Sequence, residues 1–287
     1  KINGGVLAAA GLKQGDLLGG ITMRLATVLF FICVCLAAPA LAEECQPVSY
    51  AGATSCRECH EKFYQLWSTS MHGQAMQPYT PEFAAAKLSP QKDAVTINKL
   101  KYRADIDKGV VIEAGAKGTK SYRIEHVLGG KNVFYFLTSL DKGRLQTLPL
   151  AFDVNKKEWF DTAASGLRHF PGGERSAAVD WKDYQYTFNT ACYGCHVSQL
   201  STNYDPKTDT YHTTWTEPGI NCETCHGSAV AHIEIARATP KDKPLTDLRI
   251  TRTKTMTKVQ RNDLCSSCHA KASPLTPAYR PEERFYD

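Results

Sequence analysis

No run in this sequence is both long and apolar enough to cross a bilayer. The longest, Leu25 to Ala38, has about 14 residues where a spanning helix needs about 20. A large excess of one charge is also missing. Lys and Arg number 34 against 29 Asp and Glu, a net charge of +5, which gives no support for nucleic-acid binding. Cysteine is absent from residues 91–175, and the chain has no Cys-x-x-Cys-Lys unit. No Leu-Ala-Gly-Cys pattern precedes Cys45, so a lipid anchor there has no signal. With 43% hydrophobic and 22% charged residues, the composition excludes a disordered, collagenous or polytopic membrane chain.

Cysteine elsewhere is abundant and patterned. Eight of the 11 cysteines and four of the nine histidines fall into four Cys-x-x-Cys-His units: Cys56/Cys59/His60, Cys192/Cys195/His196, Cys222/Cys225/His226 and Cys265/Cys268/His269. Thiols at i and i+3 and an imidazole at i+4 share one face of a single helical turn. Two thioethers can therefore hold a macrocycle edge while the imidazole ligates its iron, the signature of c-type haem attachment. A zinc ribbon, an iron-sulfur site or a dithiol redox site would use the Cys-x-x-Cys pairs, but none accounts for four following histidines. The cofactor expected is four covalently bound haem c groups.

The N-terminal part reads as a leader. From Met23 a basic Arg24, the apolar run and the small residues Ala40 and Ala42 before Glu43 have the layout of a secretory signal peptide cleaved after Ala42. Residues 1–22 begin with Lys, precede this start, and read as a non-native upstream segment. The expected location is periplasmic or extracellular, with no stable membrane span in the mature chain.

Beyond the leader three regions are expected. Residues 43–90 form a helical segment for the first haem, with Ser55 and Glu58 as a capping box. Residues 91–175 form a β-rich insert, because VVIEA, VFYFLTSL and RLQTLPLAF are separated by the turn signals Asp141-Lys142-Gly143 and Asn155-Lys156-Lys157. Residues 176–287 hold three haems among loops, with helix starts at Asn189 or Thr190, at Asn221, and at Thr257 with Gln260 as a capping box. The expected fold class is mainly α with a small antiparallel β-meander insert, in an irregular, loop-rich arrangement where haems form much of the core. Trp181, Tyr184, Tyr186, Tyr193 and Trp215 suit packing against haem faces as well as ordinary core.

Iron held by a motif histidine takes a distal ligand or stays open, and that choice separates electron carrier from catalyst. The spare histidines are His72, His126, His169, His212 and His232. The metal-ligand set expected is His60, His196, His226 and His269 with His72, His232, His126 and His212 as distal candidates. His72 lies 12 residues beyond His60, about 18 Å along the same expected helix, so it should serve another motif's iron. Met71 and Met76 are weaker candidates, since methionine usually packs.

YAGATSCRECHEKFYQLWSTSMHGQAM resembles the opening of the cytochrome c-554-like multihaem cytochromes, with Trp67, Ser68, Ser70, His72, Ala75 and Met76 at the family spacing. GRLQTLPLAFD, NYDPKTDTYHTTW and GINCETCHGSAVAH resemble exported multihaem cytochromes that often carry tetratricopeptide repeats. The resemblance implies distal roles for His72 and His232, and a chain that in relatives continues past SPLTPAYRPEERFYD into further haem motifs. It implies electron transfer with other redox proteins or multihaem cytochromes, within a multihaem complex. The alternative is an oxidoreductase with one open haem acting on a small nitrogen or sulfur species.

Overall fold

The computed structural model describes residues 48–163, 179–270 and 279–285. The leader, the upstream segment, Cys33, Cys35, Cys45 and His169 lie outside the described residues.

The element order is α1 (Ala53–Ser68), β1 (Met76–Pro78), α2 (Pro81–Lys87), β2 (Val95–Ile97), β3 (Leu100–Asp105), β4 (Val110–Gly115), β5 (Gly118–Arg123), β6 (His126–Gly129), β7 (Val133–Ser139), β8 (Leu145–Asp153) and β9 (Glu158–Asp161). After these come α3 (Phe188–Ala191), α4 (Tyr193–His196), β10 (Val197–Ser198), β11 (Glu217–Pro218), α5 (Cys222–His226), α6 (Val230–Ala238) and α7 (Lys258–His269).

The strands form three antiparallel sheets, ordered β1-β6-β7-β8-β9, β2-β3-β4-β5 and β10-β11. The expectation of a mainly α chain is therefore wrong: helix and strand contents are comparable. The motif helices α3, α4 and α5 have only four or five residues each, so they add little helix. Between 76 and 161 the chain makes nine strands in two sheets rather than one small meander.

Alternation builds the four-stranded sheet. In β3, Tyr102 and Ala104 point inward while Lys101 and Arg103 stay exposed. β8 has no such alternation, because all nine of its residues are buried. The reason is a core on each side. Leu148, Leu150 and Phe152 join Phe134, Phe136, Trp159 and Trp181 in one cluster against the four-stranded sheet. Leu145 faces a second cluster with Met76, Leu128, Leu137, Phe188, Tyr193 and Val197. The five-stranded sheet thus divides a conventional core from one that reaches the second Cys-x-x-Cys-His motif. No described helix is long and apolar enough to cross a membrane.

Candidate functional site

Each motif histidine sits where a helical segment ends or breaks. His196, His226 and His269 close α4, α5 and α7, and His60 interrupts α1 with φ −123° and ψ 41°. The starts differ. α7 has the capping box expected of Thr257 and Gln260, and Asn221 caps α5 by accepting from the Thr224 amide at 3.0 Å. Ser55 caps nothing; its hydroxyl donates to the Ala51 carbonyl at 2.7 Å. Asn189 is buried and accepts from the Leu145 amide instead of starting a helix.

The start of α1 is held from far along the chain. The buried Glu223 carboxylate accepts from the amides of Ala51 (3.0 Å), Gly52 (2.8 Å) and Ala229 (2.8 Å). Glu217 accepts from Ala53 at 2.9 Å and from the Asn221 side chain at 2.8 Å. Negative charge at a helix N-terminus is favourable, and here it fixes the first motif against the third. These two carboxylates escaped sequence reasoning, since Glu223 occupies a variable position inside Cys-x-x-Cys-His.

The motifs touch through their thiols. Cys56 donates to Cys222, which drives the Cys56 pKa up and the Cys222 pKa down. Cys195 and Cys268 couple likewise, with Cys268 held down to about 6 by the thiol hydrogen bond from Cys195. The Cys195 thiol lies 3.4 Å from the Cys268 carbonyl and the Cys268 thiol 3.2 Å from that of Gly194. Cys225 is within electrostatic reach of Cys265 and Cys268. The motifs are therefore ordered first, third, fourth, second in space. All eight motif cysteines are free thiols.

Two motif histidines face a second histidine from another segment. The His60 and His232 rings have centroids 6.4 Å apart and planes only 19° from parallel. The His72 and His269 centroids are 6.1 Å apart. An iron bonded at about 2 Å to a ring nitrogen on each side holds two centroids about 6 Å apart, so both pairs fit axial ligation. His72 reaches its partner because α1 stops at Ser68 rather than continuing past it. The reversal needs Gly73, where a Cβ would lie 2.4 Å from the Trp67 carbonyl oxygen. It is clamped by the Ile220 amide donating to the His72 carbonyl at 2.9 Å and by Trp67 Nε1 donating to the Ile220 carbonyl at 2.6 Å.

Backbone carbonyls set the ring tautomers. Nδ1 of His196, His226 and His232 lies 2.6, 2.9 and 2.7 Å from the carbonyls of Ala75, Thr251 and Leu248. A carbonyl only accepts, so each Nδ1 carries the proton and each Nε2 keeps its lone pair for a metal. His126 stands edge-on to Trp215 at 5.7 Å, its buried Nδ1 has no hydrogen-bond partner, and burial lowers its pKa. His212 is exposed on the 201–214 loop, and no ring contact with another histidine involves it among the described residues. Met76 is core and Met71 is exposed. Among the described residues no group of three or more His, Cys, Asp or Glu side chains is arranged to hold a bare metal ion. Paired imidazoles beside paired thiols fit haem better than a four-ligand zinc site.

The family model for cytochrome c554 and c-prime matches residues 55–118 and 159–227. This chain belongs to the cytochrome c554 family of multihaem cytochromes. Membership implies covalently bound haem c and electron transfer in general. No curated protein matches this cytochrome. It is similar to the outer cell wall cytochrome OcwA, with 21% identity and a TM-score of 0.40 over 67% of this chain and 34% of that one. It is also similar to an undecahaem cytochrome from the S-layer of Carboxydothermus ferrireducens, with 21% identity and a TM-score of 0.46 over 79% of this chain and 26% of that one. The cytochrome thus spans about a third of the first and a quarter of the second.

Proposed function

We propose that this cytochrome is a tetrahaem electron carrier working outside the cytoplasmic membrane, with haem attached at Cys56/Cys59, Cys192/Cys195, Cys222/Cys225 and Cys265/Cys268. His60, His196, His226 and His269 are the proximal ligands. His232 closes the first site and His72 the fourth. The observation that carries this reading is the pair of His–His spacings, 6.4 and 6.1 Å, each joining a motif histidine to one from a different segment. An iron closed on both faces exchanges electrons without binding substrate. The thiol contacts between motifs support a continuous route, first to third to fourth to second. His126 serves as a further ligand candidate, its unpartnered buried nitrogen beside the second-motif core. The leader pattern at 23–42 supports export, and redox proteins outside the cytoplasm are the partners proposed.

Pyridine-haemochrome analysis of the exported protein should give four haems per chain; none, with zinc bound instead, would overturn the reading. His72→Ala and His232→Ala should each turn one low-spin ferric signal high-spin while the haem count stays at four. Unchanged paramagnetic resonance spectra in both variants would overturn the distal assignment.

One observation favours a second reading, a multihaem oxidoreductase. Among the described residues, no second histidine ring is in contact with His196 or His226. A high-spin signal in the wild type that responds to nitrite or hydroxylamine would select it.

A further inference from the structure

The segment Pro240–Arg261, which leaves the end of α6 and runs into α7, holds seven Lys or Arg against two Asp, a net of +5. The whole chain also sums to +5, so all other residues together are balanced. The excess is localised. Lys241, Lys243, Arg249, Arg252, Lys254, Lys258 and Arg261 are all exposed. Among the described residues only Arg249 has a carboxylate partner within this segment, Asp247.

The same strap is wired to the candidate ligands. Its Leu248 carbonyl accepts from Nδ1 of His232 and its Thr251 carbonyl from Nδ1 of His226. An open cleft of about 520 Å³ lies between His226 and residues Thr246–Arg252, with Arg249 and Arg252 in its wall. A body resting on the strap is thus one hydrogen bond from an imidazole of the first site and from one of the third.

We propose that this strap is the docking surface for an acidic redox protein, which exchanges electrons with the first and third haem sites. The proposal rests on the electron-carrier reading and names the partner class for it. The cations line an extended stretch of chain, too long for one small anion to cover, and their fields add over the several ångströms at which charged proteins steer each other. A lipid surface fits less well, because between Pro240 and Lys258 no large hydrophobic side chain is exposed to insert. In the exchange the partner gives up one electron to a ferric site, and no proton or ligand has to move.

The test is stopped-flow reduction of the haem-loaded protein by a reduced acidic flavodoxin, with a small uncharged flavin as the control reductant. The second-order rate with flavodoxin should fall at least about tenfold as salt rises from about 20 mM to about 500 mM. The variant Lys241→Glu, Lys243→Glu, Lys254→Glu, Lys258→Glu should lose at least about tenfold at low salt and most of its salt dependence. Its rate with the uncharged flavin, its haem content and its reduction potentials should match the wild type. A variant as fast as wild type with flavodoxin overturns the proposal. So does a rate loss matched by shifted potentials or missing haem, which would assign the cations to haem propionates. Failure of the uncharged flavin to reduce the wild type would instead overturn the electron-carrier reading itself.

Discussion

At the scale of single residues, Glu223 shows how a site can depend on a group that sequence reasoning passes over. Its carboxylate is buried and accepts three backbone amides, two of them at the start of α1. Removing it leaves three buried donors without acceptors, so Glu223→Ala should cost about 3 kcal/mol or more, read as a lower urea midpoint at unchanged slope. Glu223→Gln keeps part of the acceptor capacity and should cost less. A Gln variant as damaging as Ala would mean that charge, rather than hydrogen bonding, fixes the helix start. The motif cysteines and histidines were legible because their chemistry requires fixed spacing. Glu223 was not, because its partners lie about 170 residues away and no local pattern marks it.

At the scale of elements, legibility followed how local the determinants are. Thr257 and Gln260 satisfy each other within one turn, and their capping box is present as read from sequence. Thr257→Ala should destabilise the protein by about 1 kcal/mol, measurable by thermal or denaturant unfolding. An unchanged midpoint would mean that packing alone holds α7. The runs VVIEA, VFYFLTSL and RLQTLPLAF fall on β4, β7 and β8. The remaining strands were missed for physical reasons: β5 reads GTKSYR with little burial, and β1 and β2 have three residues each, too short for a period. The helix expected to run through His72 ends at Ser68. There the Ser68, Thr69 and Ser70 hydroxyls bond nearby carbonyls of α1, and Gly73 allows the chain to fold back.

At the scale of the whole molecule, stability is divided unevenly. The cluster between the two large sheets contains no motif residue. Beyond Leu200 the buried apolar residues described are only Ile220, Ala229 and Met256. That half must rely on haem faces and on hydrogen bonds such as those of Glu217 and Glu223. Blocking attachment at the fourth motif with Cys265→Ser/Cys268→Ser should therefore expose the strap and α7 to trypsin first, while a fragment spanning β1–β9 persists. Simultaneous loss of both halves would show one cooperative unit. The reach of Glu223 also has a temporal side. A chain emerging N-terminal end first presents Cys56 and Cys59 to the attachment machinery long before residue 223 follows. The first haem is thus joined to a helix whose start is still uncapped, and the arrival of the third motif is the event that locks the first in place.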